Sequence, residues 1–213
     1  MKFKRNFLLV LFTGIGLMAS AQTFSSVNLC RSNYTLGIHS VNIFVNDNII
    51  SLSLDGEILD PYLEGKSFEY YTNFDGAEKN GKLKSIDNIT FDYYDRFSSN
   101  EIQGKIKSIN GLSIEYYDRF GDASASGKIK SLGSTSISYY DRFVSNEKAG
   151  KVKSIDGMSA DYFDRFDKSE LIGNIKSLAG ITFSYYDRFD SEDKMGQLKS
   201  VQGSDDRIII SVY

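Results

Sequence analysis

Gly104-Lys105-Ile106-Lys107-Ser108-Ile109-Asn110-Gly111-Leu112-Ser113-Ile114-Glu115-Tyr116-Tyr117-Asp118-Arg119-Phe120 decides the fold, because the same arrangement returns every 23 residues. The tetrad Tyr-Asp-Arg-Phe begins at Tyr94, Tyr117, Tyr140 and Tyr186, with Phe163 in place of the tyrosine in the remaining copy. A Gly-led element precedes each copy at the same step, at Gly81, Gly104, Gly127, Gly150, Gly173 and Gly196. Two short elements repeated without drift mean one supersecondary unit stacked on copies of itself. Within the unit, Asn110-Gly111 separates two runs rich in Ile, Leu and Tyr, and Asp156-Gly157 does the same in a later copy. Such a dipeptide between apolar runs signals a β-hairpin, since a type I′ turn needs positive φ at both central residues.

A two-residue turn fixes the register, so strict alternation predicts two faces. Lys105, Lys107, Ile109, Leu112, Ile114, Tyr116, Asp118 and Phe120 fall on one, which is the more apolar and the expected core face. Ile106, Ser108, Ser113, Glu115, Tyr117 and Arg119 fall on the other. On the core face the lysine stems are expected to lie along the aromatic rings, with Asp118 pairing diagonally with Lys105. On the second face Arg119 is expected over Tyr117. One hairpin buries too little apolar surface to offset its ordering entropy, so neighbours must supply the rest.

The fold class expected is therefore all-β, an elongated antiparallel array of 23-residue hairpins with terminal capping strands. The alternative is a parallel β-solenoid, which would stack like-charged Asp side chains in rows. The chain divides into a leader over 1–21, an N-terminal capping β region over 22–57, a repeat array over 58–203 and a C-terminal capping strand over 204–213. The array holds one degenerate unit and about five full ones. Residues 41–45 and 48–54 around Asn46-Asp47 are expected to close the first edge as a hairpin.

Lys2, Lys4 and Arg5, a short apolar core and Ala19-Ser20-Ala21 have the form of a bacterial signal peptide. Its removal takes three of the 25 Lys and Arg and no acid, leaving 22 bases against 28 acids. Export to the periplasm, outer surface or medium follows, with no transmembrane segment after cleavage. That acidic balance disfavours nucleic acid as a partner. Cys30 is the only cysteine and His39 the only histidine, which excludes an internal disulfide and a multi-histidine zinc site. Both are expected to be structural, Cys30 as a small, partly buried side chain and His39 on a strand face.

Tyr116, Phe120 and Gly127 stand at positions 1, 5 and 12 of the 23-residue unit, as do Tyr93, Phe97 and Gly104. In this spacing the array resembles the MORN repeat family across roughly residues 70–196. The resemblance implies a hairpin array with a scaffolding or surface-binding role.

Identical residues at successive stations form a ruler, whereas catalysis needs one asymmetric constellation in a pocket. No enzymatic activity, cofactor or metal is expected. The expected function is an exported scaffold for protein or cell-surface interaction. The alternative is a glycan-binding module, whose face would comprise Tyr94, Arg96, Glu115, Tyr117, Arg119, Tyr140, Arg142, Arg165, Tyr186 and Arg188.

Overall fold

The computed structural model describes residues 23–32, 34–59 and 65–211, so the leader expected over 1–21 lies outside the described residues. Four strands come first: β1 (Thr23–Ser32), β2 (Thr35–Val45), β3 (Asn48–Ser53) and β4 (Ile58–Leu59). The array then opens with β5 (Phe68–Tyr70) and runs through five hairpins: β6–β7 (Leu83–Ile86, Ile89–Tyr93), β8–β9 (Ile106–Ile109, Leu112–Tyr116), β10–β11 (Ile129–Leu132, Thr135–Tyr139), β12–β13 (Val152–Ile155, Met158–Tyr162) and β14–β15 (Ile175–Leu178, Ile181–Tyr185). It closes with β16 (Leu198–Gln202), and β17 (Ile208–Ser211) follows.

Strands β5 to β16 form one twelve-stranded sheet in chain order, and every pairing within it is antiparallel. This is the hairpin array, and it excludes the parallel solenoid. The turns are those the sequence asked for: φ is 49° at Asn110 and 88° at Gly111, 48° at Asp156 and 75° at Gly157. Ser108 faces Ser113 and Ile109 faces Leu112 in the expected register.

The faces differ from strict alternation. Between neighbouring repeats Tyr93 pairs with Ile106 and Asp92 with Ser108, so Lys107 is an extra residue. The same irregularity falls at Lys84, Lys130, Lys153, Lys176 and Lys199. A bulge inserts one residue and re-aims the side chains beyond it. Ile106 and Ile109 therefore both reach the core, and Lys107 stands in solvent. That corrects the expected placing of Lys107 on the core face and of Ile106 opposite. Asp118 and Phe120 are also misplaced by alternation, because the strand ends at Tyr116.

The capping strands do not extend the edges of this sheet. The strands β1 to β4 and the returning β17 make a second, five-stranded sheet in the order β17-β1-β2-β3-β4. In it β17 runs parallel to β1, and Val27 N–H donates to the Arg207 carbonyl at 2.7 Å. Its inward residues Val27, Leu29, Val41, Ile43 and Leu52 are buried in one continuous core with the isoleucines of the array.

Specific polar contacts join the sheets. Leu36 N–H donates to Asn174 Oδ1 at 2.8 Å. Ile129 N–H donates to the Leu54 carbonyl at 2.8 Å, and Lys105 Nζ to the Asp55 carbonyl at 2.8 Å. At this corner Gly56, with φ of 83°, lies flat against the Tyr116 ring, and a Cβ there would overlap the Tyr116 hydroxyl. In three other repeats the equivalent hydroxyl donates to a strand carbonyl, Tyr93 to Leu83 at 2.8 Å, Tyr139 to Ile129 at 2.9 Å and Tyr185 to Ile175 at 2.7 Å. Tyr116 Oη is buried without a hydrogen bond.

Two stability measurements check this arrangement. Ile106→Ala should cost about 2–5 kcal/mol in urea melts, while Lys107→Ala stays within about 0.5 kcal/mol. Equal costs would contradict the bulge. Gly56→Ala should destabilise by about 1–3 kcal/mol, from positive φ and overlap together, and a neutral result would contradict the docking of the two sheets.

Candidate functional site

The connecting loops carry the Asp-Arg-Phe tripeptides, and local chemistry dictates their shape. Tyr94 N–H donates to the Lys105 carbonyl and Gly104 N–H to the Tyr94 carbonyl, both at 2.9 Å, which closes the loop between repeats. Gly104 does so with φ of 69°, a value that tolerates glycine and explains its recurrence. The aspartate then folds the chain back on itself. Asp95, Asp118, Asp141, Asp164 and Asp187 each accept the N–H two residues on through Oδ1, at 2.8–3.0 Å. This is the Asx turn that Asp favours. The expected ion pair between Asp118 and Lys105 does not form: the strand ends at Tyr116, and Lys105 Nζ donates to the Asp55 carbonyl instead.

The turn throws the next two side chains outward. Phe97, Phe120, Phe143, Phe166 and Phe189 are 79–84 % exposed, and Phe74 of the degenerate unit is 93 % exposed. Each arginine lies over the ring that follows it, Arg96 on Phe97 through Arg188 on Phe189, at 4.9–5.1 Å. Among the described residues none of these five guanidiniums joins an ion pair. One pair per hairpin, two strands apart, gives a step of about 10 Å along the sheet.

The tyrosines expected beside the arginines have another role. Tyr94, Tyr117, Tyr140 and Tyr186 are half-buried. Tyr94 Oη donates to the Ile114 carbonyl at 2.9 Å, Tyr117 to Ile137 at 3.1 Å and Tyr140 to Ala160 at 2.9 Å, each reaching into the next repeat. The rings of Tyr94 and Tyr117 meet the first tyrosine of that repeat edge-on, buried Tyr116 at 6.0 Å and partly buried Tyr139 at 5.8 Å. Phe163 makes the same ring contact with Tyr185. Arg119 thus stacks on Phe120 and not on Tyr117, which corrects the expected pairing. Of the ten nominated residues, Arg96, Arg119, Arg142, Arg165, Arg188 and Glu115 are exposed, Tyr94, Tyr117 and Tyr140 clamp one repeat to the next, and Tyr186 is half-buried at the end of the row.

Sequence reasoning missed the exposed phenylalanines because it carried strand alternation past Tyr116. The signal was present: Asp followed by two residues before a variable tract is a turn signature.

Lysines bind the core side. Lys105 Nζ lies 5.4 Å from the Tyr116 ring centroid and Lys151 Nζ 5.0 Å from that of Tyr162. The stem-on-ring arrangement therefore holds for Lys82, Lys105, Lys128 and Lys151, the lysines that follow the first four repeat glycines. Lys82, Lys128 and Lys151 also donate to the carbonyls of Gly104, Gly150 and Gly173 in the following repeat. Burial lowers the affinity of these three ammonium groups for their protons.

A cavity of about 220 Å³ opens between the two sheets, with Cys30, His39, Leu54, Lys151 and Tyr162 in its wall. Burial raises the Cys30 thiol above its ordinary range, the opposite of what activates a nucleophilic thiolate. Among the described residues no cluster of His, Cys, Asp and Glu is placed to hold a metal ion. Among the described residues no helix is long and apolar enough to cross a membrane.

Comparison with known proteins gives no match to a family model, a curated protein or a solved structure.

Two predictions follow from the loops and clamps. Tyr185→Ala should cost about 3–5 kcal/mol, and Tyr186→Ala clearly less, because Tyr185 is buried and Tyr186 is not. Tyr140→Phe should cost about 1 kcal/mol through its lost hydrogen bond. The second prediction concerns acid. The Phe166 N–H and then Lys148 hold the Asp164 carboxyl below its ordinary range, and Lys168 and then the Phe189 N–H do so for Asp187. Carboxyls lowered on folding stabilise above the unfolded value, about 4, and that stability drains as pH falls through the folded value. The melting temperature should therefore fall below about pH 4. Asp164→Asn with Asp187→Asn should flatten that fall while preserving both turns, as melts from pH 6 to pH 3 would reveal.

Proposed function

We propose that this chain is an exported, non-catalytic repeat scaffold that engages a protein or cell-envelope partner through its outward row of Arg–Phe pairs. One observation carries the reading: six phenylalanines at a 23-residue step stand almost free of the fold, each about 80 % exposed or more. Stability gains little from such rings, and exposed apolar groups in an ordered row mark interaction surfaces. Regular spacing suits an extended partner that meets the same chemistry at every station. The likeness of the 23-residue unit to MORN repeats agrees with a scaffolding role. The leader sequence supports export, and the acidic balance of the remaining chain speaks against nucleic acid.

A second reading, glycan binding, rests on the unpaired guanidiniums. A phenyl ring for stacking on a sugar face beside five donors for its hydroxyls is a workable station for a carbohydrate chain. The half-buried tyrosines would border that row and not form it.

Replacing Phe97, Phe120, Phe143 and Phe166 together by Ser tests both. The variant should keep the wild-type urea melt, because these rings are exposed. Wild type should be captured with cell-envelope proteins by cross-linking, and the variant should lose at least tenfold in capture. Retardation of the wild type in polysaccharide affinity gels, lost in the variant, would instead favour the glycan reading. Undiminished capture by the variant would remove the Arg–Phe row as the working surface.

A further inference from the structure

The β12–β13 repeat meets the second sheet across the cavity of about 220 Å³, and it leaves a polar group there unspent. The hydroxyls of Tyr93, Tyr139 and Tyr185 each donate to a carbonyl of the first strand in their own hairpin. Tyr116 is pressed against Gly56 instead. Tyr162 is 2 % exposed and lines the cavity, yet among the described residues its hydroxyl makes no hydrogen bond. Val152, whose carbonyl the pattern would assign to it, stands in the same wall. Burial raises the Tyr162 phenol far above its ordinary range, so the hydroxyl keeps its proton and remains a donor.

Lys151 brings further donors to the same wall. Its Nζ lies 5.0 Å from the Tyr162 ring centroid and donates to the Gly173 carbonyl, which uses one of three N–H groups. Among the described residues it joins no ion pair. A Cβ built on Gly173 would stand 3.2 Å from this Nζ and 3.4 Å from Thr35 Cγ2, so the ammonium sits where the two sheets approach. Gly37 keeps the opposite wall open. It lies inside β2 beside Cys30, its φ is not in the left-handed region, and an added Cβ would meet nothing within 4 Å. Neither the backbone nor crowding asks for glycine there, and glycine weakens a strand. What the missing side chain supplies is room.

We propose that this cavity binds a small carboxylate, whose oxygens accept from Tyr162 Oη and Lys151 Nζ while its short carbon chain lies against Ile38, Leu54 and Val152. Hydrogen bonds to an ionised acceptor are the stronger kind, and here two donors of one wall converge where no protein acceptor answers them. A partly buried ammonium group without a counter-charge gains from an anion beside it. The apolar wall selects an organic acid over a bare inorganic anion. The volume lies below the roughly 300–1,000 Å³ of sites for drug-sized ligands, so the occupant is an acid of a few carbons. This site is separate from the Arg–Phe row and does not depend on what that row engages.

Titration of the purified protein with butyrate, followed by NMR chemical shifts, tests the site, with n-butanol as the uncharged control. Wild type should bind butyrate at millimolar concentration or below, and n-butanol at least about tenfold more weakly. Tyr162→Phe keeps the ring and breaks no hydrogen bond within the fold, so its urea melt should match wild type. Its affinity for butyrate should fall about fivefold or more. Gly37→Val fills the cavity with a side chain that a strand accepts, so the protein should stay folded and lose butyrate binding. Where Gly37→Val unfolds, Tyr162→Phe decides alone. A wild type that ignores butyrate at millimolar concentration would overturn the proposal. So would equal affinity for butyrate and n-butanol, or a folded variant of either kind that binds butyrate as wild type does.

Discussion

Every first strand of the array carries one residue too many, and the structure depends on where that residue goes. A strand of four residues in strict alternation would present two apolar side chains only if they sat two apart. Here they sit three apart, as Ile106 and Ile109 do, and the bulge at Lys107 brings both inward. The lysine left outside is the second of the Gly-Lys-apolar-Lys-Ser-apolar element, and this is why that element tolerates charge beside its core residues. The bulge recurs at six stations, and at the first five it gives the repeat two buried aliphatic groups on its first strand while leaving the bulged lysine outside. It also adds local twist, which a sheet of twelve strands requires.

Cohesion between repeats comes from aromatic side chains and lysines that reach forward by one unit. The half-buried tyrosines Tyr94, Tyr117 and Tyr140 donate to a strand carbonyl of the next repeat and meet a tyrosine of it edge-on, while Lys82, Lys128 and Lys151 donate to the next glycine carbonyl. These contacts satisfy groups that a loop-rich edge would otherwise leave unpaired. They also free the Arg-Phe dipeptides from structural duty beyond the turn itself. The division is sharp: aspartate shapes the loop, tyrosine holds the array, and arginine with phenylalanine faces outward.

The second sheet breaks the repetition, and the substitutions that accompany it show how. Asn174 stands where earlier repeats have lysine, and it turns its carbonyl oxygen to Leu36 N–H of β2 in a buried contact. A lysine there would bury an ammonium group against a neighbouring strand, which is costly. At the other end of the interface the Leu54–Gly56 corner takes the place of the hydrogen bond that the Tyr116 hydroxyl would otherwise make.

Period, turn dipeptides and hairpin register were legible in the sequence because each is a short-range effect. Positive φ at Asn110 and Gly111 needs only those two residues, and the 23-residue step needs only counting. The face assignments beyond the turn failed at the two places where alternation is interrupted, the bulge at Lys107 and the Asx turn at Asp118. The arginines of the candidate face were found, whereas its phenylalanines were misplaced by that turn. Where the terminal strands go could not be read locally at all. Pairing β17 with β1 joins residues some 180 positions apart, such as Val27 and Ile208, through backbone groups that every residue carries. Local sequence settled the repeating unit; only the tertiary structure decided that both chain ends leave the array to build a second sheet across its core face, because that choice rests on long-range burial and not on local conformational preference.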